Sequence, residues 1–148
     1  MRTEPGMKRK GTYVLSITLG ADSEIRIGAL GTFTFEKGQY LYAGSAMGGL
    51  DQRISRHIRR DKTVRWHVDN LTTVADSVEA FESYPDPVPE CTLASVASDC
   101  GMVPSVNGFG CSDCSCRTHL FRIVPGSLER LLDITGMVPF EDHRNEIK

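Results

Sequence analysis

From Gly11 onward the chain alternates short apolar runs with breaks marked by Gly and Pro, and the period of each run sets the element it predicts. Thr12-Tyr13-Val14-Leu15-Ser16-Ile17-Thr18 is rich in β-branched and aromatic residues and closes at Gly20, which predicts a strand. Ile25-Arg26-Ile27 and Thr32-Phe33-Thr34-Phe35, separated by Gly28-Ala29-Leu30-Gly31, predict a hairpin. Gln39 to Ala43 predicts another strand, running into the small-residue stretch Gly44-Ser45-Ala46-Met47-Gly48-Gly49. At Leu50 the period changes. Leu50, Ile54, His57 and Ile58 fall at i, i+4, i+7 and i+8, which predicts a helix ending near Asp61 with Asp51, Arg56, Arg59 and Arg60 turned outward.

Trp66 to Leu71 fits a helical turn or a strand, whereas Ser77 to Tyr84 alternates as a half-buried strand and is closed by Pro85, Pro87 and Pro89. Pro89 suits a first helical turn, so Glu90 to Ala97 predicts a helix, with an acid at its positive end and Gly101 as its cap. Gly108 to Cys116 reads as irregular, Thr118 to Val124 as a strand, and Leu128, Leu131 and Leu132 as a last short helix. The order predicts an α+β domain over residues 11–135, a small, mostly antiparallel sheet flanked by helices. Residues 1–10 are expected to be a flexible leader and 136–148 a polar tail.

Length and composition narrow the class. The 148 residues, 40% hydrophobic and 24% charged, fit one globular domain and exclude a disordered or fibrous chain. Seventeen Lys+Arg against nineteen Asp+Glu give a net charge of −2, so any phosphate-binding surface has to be local. Two basic clusters offer one: Lys8, Arg9 and Lys10, and the group Arg53, Arg56, Arg59, Arg60, Lys62 and Arg65. There is no apolar run of about 18 residues and no apolar signal segment at the start, so a cytoplasmic protein without a membrane is expected.

In such a reducing compartment the five cysteines point to metal ligation or buried thiols. Cys111, Cys114, Cys116 and His119 offer a Cys₃His set of the kind Zn²⁺ accepts. The alternative is a Gly-rich loop held by thiols and by Asp113 hydrogen bonds. Cys91 and Cys100 read as thiols packed on a helix.

The chemistry gathers around Tyr13 and Tyr42, both on strands of the same expected sheet, with the Arg53 helix starting directly after the second. Phosphodiester chemistry needs its negative charge neutralised and a proton moved, for which a fixed guanidinium, a divalent cation and a positioned phenol are suitable parts. Ordinary cross-strand packing of the two rings is the alternative. His67, beside Trp66 and Asp69, is either a general base or a histidine hydrogen-bonded next to a buried indole.

Gly11-Thr12-Tyr13 resembles the GIY motif and Tyr42-Ala43-Gly44 the YIG motif. Leu50-Asp51-Gln52-Arg53 matches the helix signature Leu-x-x-Arg, with His57 one turn later. In these the chain resembles the GIY-YIG nuclease superfamily. A narrower resemblance, from Gly11 to Phe121, is to its Uri-type group, found alone or fused to endonuclease III-like repair enzymes. It rests on Gly38 to Ala46, Arg65-Trp66-His67-Val68-Asp69, Glu90-Cys91-Thr92-Leu93-Ala94 and Gly108 to Leu120. The departures are Thr12 and Ala43 in place of Ile, an inserted hairpin at residues 24–36, and one additional residue between Gly44 and Leu50.

The resemblance implies that Arg53 contacts the scissile phosphate and that Tyr13 and Tyr42, with His57 and His67 beside them, orient the nucleophile or transfer its proton. It also implies that a helical Glu holds Mg²⁺ or Mn²⁺. Glu90 is the choice, with Glu79 and Glu82 as rivals. Because those two are an odd number of strand positions apart, only one of them can face the site. Arg56, Arg59, Arg60 and Lys62 are then a backbone-binding surface for nucleic acid, DNA ahead of RNA. The implied activity is metal-dependent hydrolysis of DNA in repair or recombination, in association with a repair glycosylase. The alternative is a non-catalytic nucleic-acid-binding module with a zinc-organised loop.

Overall fold

The computed structural model of the protein describes residues 9–110 and 116–142. Its first strand, β1 (Gly11–Leu19), is buried at every position but one. The reason is its place: β4 (Gly38–Ala46) pairs along one edge and β5 (Ser77–Ser83) along the other, both antiparallel. Beyond them lie β7 (Leu120–Arg122) and the two-residue strands β6 (Val103–Pro104) and β8 (Val138–Pro139). The sheet runs β6-β7-β4-β1-β5-β8, with every pairing antiparallel.

Both faces of this sheet are covered, so β1 carries apolar residues on each side instead of alternating with polar ones. Tyr13, Leu15, Ile17 and Leu19 pack against Leu50 and Ile54 of α1 (Leu50–Ile58) and Leu71 of α2 (Asp69–Thr72). On the opposite face, Val14, Leu41 and Ala43 pack against Leu93, Ala94 and Ala97 of α3 (Glu90–Asp99) and Leu131 of α4 (Ser127–Thr135). The described residues thus form an α+β domain: a six-stranded antiparallel sheet between helices.

The hairpin forms as the sequence predicts, from β2 (Ser23–Ile27) and β3 (Gly31–Phe35). It makes a sheet of its own, yet Ile25, Ile27 and Phe35 enter the β1 core. Strand β4 extends through Gly44, Ser45 and Ala46, past the end set by composition, because Gly11–Tyr13 continue to pair with them. Trp66 and His67 form a turn that leads into α2.

Helix α1 stops at Ile58, short of Asp61, because Arg59 adopts extended backbone. Ile58 therefore lies beyond the core and is 44% exposed, unlike Leu50, Ile54 and His57. Two stretches expected at the margins take part in the fold. Arg9, within the expected leader, is 2% exposed and bridges Asp51 of α1 and Glu82 of β5 at 2.5 and 2.7 Å. Within the expected tail, β8 closes the sheet edge and Phe140 packs on the core.

Candidate active site

Tyr13 lies opposite Gly44, and Tyr42 opposite Leu15, so both phenols rise from the sheet face that carries α1. Their ring centroids are 6.3 Å apart. The glycine at 44 is required by space: a Cβ there would lie 2.5 Å from Tyr13 Oη and 3.1 Å from Tyr42 Cε2. Gly110 performs the same service on the other side of Tyr42. Its φ of +71° suits glycine, and a Cβ would come within 3.0 Å of the ring.

Helix α1 brings His57 and Arg53 to the phenols. Tyr13 Oη and His57 Nε2 are 2.7 Å apart, and both side chains are almost wholly buried. Burial pushes the Tyr13 pKa above its ordinary value, Tyr42 adds to the rise, and Arg53 pulls against it. Burial also lowers His57 from 6.5 to about 3, helped by Lys62 and opposed by Asp69. At neutral pH the phenol is protonated and the imidazole neutral. A phenol donating to Nε2 leaves the ring proton on Nδ1, which faces Asp69 Oδ1 at 3.9 Å.

Arg53 donates to the Ser45 carbonyl at 3.1 Å, and its Cζ lies 4.4 Å from the Trp66 ring centroid. Trp66 is itself held by Asp69. That buried carboxylate accepts the backbone N–H groups of Arg65 and Trp66 and both terminal nitrogens of Arg56, at 2.8 to 3.0 Å. Burial works against the charged form of Asp69, but these donors outweigh it and keep the carboxyl below its ordinary range. The Gly110 N–H donates to His67 Nδ1 at 3.1 Å, which holds the ring against the Gly110 turn.

Glu90 opens α3, with its side chain 35% exposed and its charge raising the Tyr13 pKa further. Tyr13, Tyr42, Arg53, His57, His67 and Glu90 all line one open cleft of about 420 Å³, together with Ser45, Arg65, Trp66 and Gly110. The rival carboxylates stand elsewhere. Glu82 pairs with Tyr13 across the sheet and so shares its face, but it is taken by Arg9. Glu79 pairs with Ser16 and is exposed on the opposite face.

The basic cluster has more internal work than its outward placement suggests. Arg56 clamps Asp69, Arg60 donates to the Ala75 carbonyl, and Lys62 Nζ donates to the Arg56 and His57 carbonyls at the end of α1. Burial lowers Lys62 to about 8 against the pull of Asp69. Arg59, Arg60 and Arg65 are the exposed members. Asp69 as an anchor and Ser45 as a carbonyl acceptor were missed. An acid in the first turn of α2, just after Trp66, was the available signal for Asp69; Ser45 gave none.

The proposed zinc residues divide. Cys111 and Cys114 lie outside the described residues. Cys116 and His119 meet Cys91, and the three ligand atoms lie within 4.8 Å of one another, a group that could hold a metal ion. Cys91 is half-buried and lies outside the core cluster, whereas Cys100 is buried in the core at the end of α3.

The protein is thus an α+β domain with an open polar cleft, in which a neutral phenol–imidazole pair, a guanidinium and a carboxylate converge. It belongs to the family described as Domain of unknown function DUF123, whose model matches residues 12–135. No curated protein and no solved structure matches the chain. No helix among the described residues is long and apolar enough to cross a membrane.

Proposed function

We propose that the domain is a divalent-metal-dependent endonuclease of GIY-YIG type, of the Uri-type group with an inserted hairpin, that hydrolyses phosphodiester bonds of DNA. The observation that supports this is the convergence of Tyr13, Tyr42, Arg53, His57, His67 and Glu90 on a single cleft. They come from β1, β4, α1, the turn before α2, and α3, elements far apart in sequence.

In this reading Arg53 binds the scissile phosphate, its guanidinium held by the Ser45 carbonyl and the Trp66 ring. Tyr13 orients the attacking water. Its oxygen accepts the water's proton as its own passes to His57 Nε2, and Asp69 stabilises the imidazolium so formed; as the water oxygen bonds to phosphorus, the P–O bond to the departing sugar oxygen breaks, and that oxygen takes a proton from solvent in the open cleft. Tyr42 and His67 line the same cleft and orient the phosphate oxygens. Glu90 fits Mg²⁺ or Mn²⁺, since a partly exposed single carboxylate leaves room for water and substrate oxygens; the ion would supply charge neutralisation at the phosphate.

The test uses plasmid and branched oligonucleotide DNA with Mg²⁺ or Mn²⁺. Arg53→Ala is expected to abolish nicking while the circular dichroism stays native, and EDTA to abolish it reversibly. Nicking that persists in both arms overturns the proposal. A non-catalytic binding module is the second reading, favoured by the Cys91–Cys116–His119 group alone. It predicts salt-sensitive DNA binding and no metal-dependent nicking.

A further inference from the structure

Cys91 is the second residue of α3, and Cys116 and His119 lie on the segment that enters β7. The backbone there is firmly placed. The His119 N–H donates to the Phe109 carbonyl at 2.9 Å, and its carbonyl accepts the Ala43 N–H at 3.1 Å, tying the residue to β4. The imidazole is 1% exposed, with Nε2 3.9 Å from Cys91 Sγ and Nδ1 3.6 Å from Glu90 Oε2. Both thiols are half-buried and open onto a groove of about 240 Å³.

Three neighbours of these types within 4.8 Å suit a soft ion. With Zn–S of about 2.3 Å and Zn–N of about 2.0 Å, tetrahedral ligand atoms stand roughly 3.5–3.8 Å apart. The 3.9 Å between Cys91 Sγ and His119 Nε2 is close to that edge without any movement of the backbone. Hard cations such as Mg²⁺ avoid this donor set, whereas thiolate and imidazole select Zn²⁺.

We propose that Cys91 Sγ, Cys116 Sγ and His119 Nε2 bind Zn²⁺, and that Glu90 accepts the His119 Nδ1–H behind it. A carboxylate on the far nitrogen fixes the tautomer that presents Nε2 to the ion and raises its basicity. Since Glu90 also lines the cleft, the same contact would hold its carboxylate in place there. The zinc assignment stands on its own residues and does not depend on the nuclease reading.

Full-length protein, reduced and stripped of metal, is titrated with Co²⁺. Thiolate charge-transfer absorption in the near ultraviolet and the visible bands of tetrahedral cobalt are expected. Cys91→Ser and Cys116→Ser should each lower the charge-transfer band by about half, one thiolate of two. Cys100→Ser, outside the group, should leave it unchanged. Glu90→Gln should keep the bands but weaken Zn²⁺ binding by about tenfold or more.

Wild-type protein without charge-transfer absorption overturns the proposal. So does a band that keeps its full intensity in Cys91→Ser but is lost in the Cys111→Ser, Cys114→Ser double variant. Should the serine variants not fold, alkylation of the wild type decides. Zn²⁺ should protect Cys91 and Cys116 from iodoacetamide, as read by peptide mass spectrometry, and equal labelling with and without Zn²⁺ refutes the site.

Discussion

The Tyr13–His57 pair makes a quantitative prediction about acid. His57 is 1% exposed, and burial lowers it from 6.5 to about 3. A group whose folded pKa is lower than its unfolded value binds protons in the unfolded chain first, so stability falls as pH drops from 6.5 toward 3. At pH 5 the folded imidazole remains essentially unprotonated, while the unfolded one is almost fully charged. The loss between pH 7 and pH 5 is then about 1.5 pH units at about 1.4 kcal/mol each, or about 2 kcal/mol. His57→Gln keeps a polar partner for the Tyr13 phenol but does not titrate. Urea unfolding of both proteins at the two pH values, with m-values unchanged, isolates this contribution, because carboxylate titrations common to both cancel in the difference. Wild type should lose about 2 kcal/mol more than the variant. A difference within about 0.5 kcal/mol would mean that His57 is already protonated in the fold at pH 5, or that its ring is hydrated there.

Three further outcomes test the supports of the cleft. Arg9→Met leaves the Glu82 and Asp51 carboxylates facing each other without their guanidinium, and should cost about 3 kcal/mol by urea unfolding at pH 7; a loss under about 1 kcal/mol refutes the clamp. Gly44→Ala drives a methyl into the Tyr13 phenol and should lower stability by about 1–3 kcal/mol, whereas Gly48→Ala, whose Cβ meets nothing within 4 Å, should stay within about 0.5 kcal/mol. Equal melting temperatures for the two variants contradict the close approach. Asp69 has its pKa held down, so its contribution is present above the ordinary carboxylate range and is lost as pH falls through it. Asp69→Asn should therefore be less stable than wild type at pH 7, by about 2–4 kcal/mol, and the gap should narrow on acidification; a gap independent of pH refutes the assigned charge.

What could be read from the sequence was what local chemistry determines. Leu50, Ile54 and His57 mark the buried face of α1 because helical period and burial coincide there, and Glu90 opens α3 because proline and an acid belong at that end. Partners distant in sequence left no such mark. Nothing near Arg9 announces Glu82, which lies 73 residues away, and Arg56 looks like one more solvated arginine until Asp69 is folded against it. The meeting of Cys91 with His119, 28 residues on, is of the same kind. Strands β6 and β8 hold two residues each, too few to show any period.

The distribution of counter-charges explains why Arg53 faces the cleft as a cation. Arg9 is compensated by Asp51 and Glu82, and Arg56 by Asp69. Arg53, one turn before Arg56 and against the same indole, donates to the neutral Ser45 carbonyl and lies beside the neutral phenol of Tyr13. Among the described residues it makes no ion pair, although Glu90 lines the same cleft. Each compensated guanidinium is needed by the fold, because removing its carboxylate partner would leave a charge in a poorly solvated place. Arg53 carries no such obligation, and its neutral supports fix its direction without lowering its charge. An anion entering the cleft therefore meets a cation already positioned by neutral partners, the preorganised arrangement that favours an electrostatic contact.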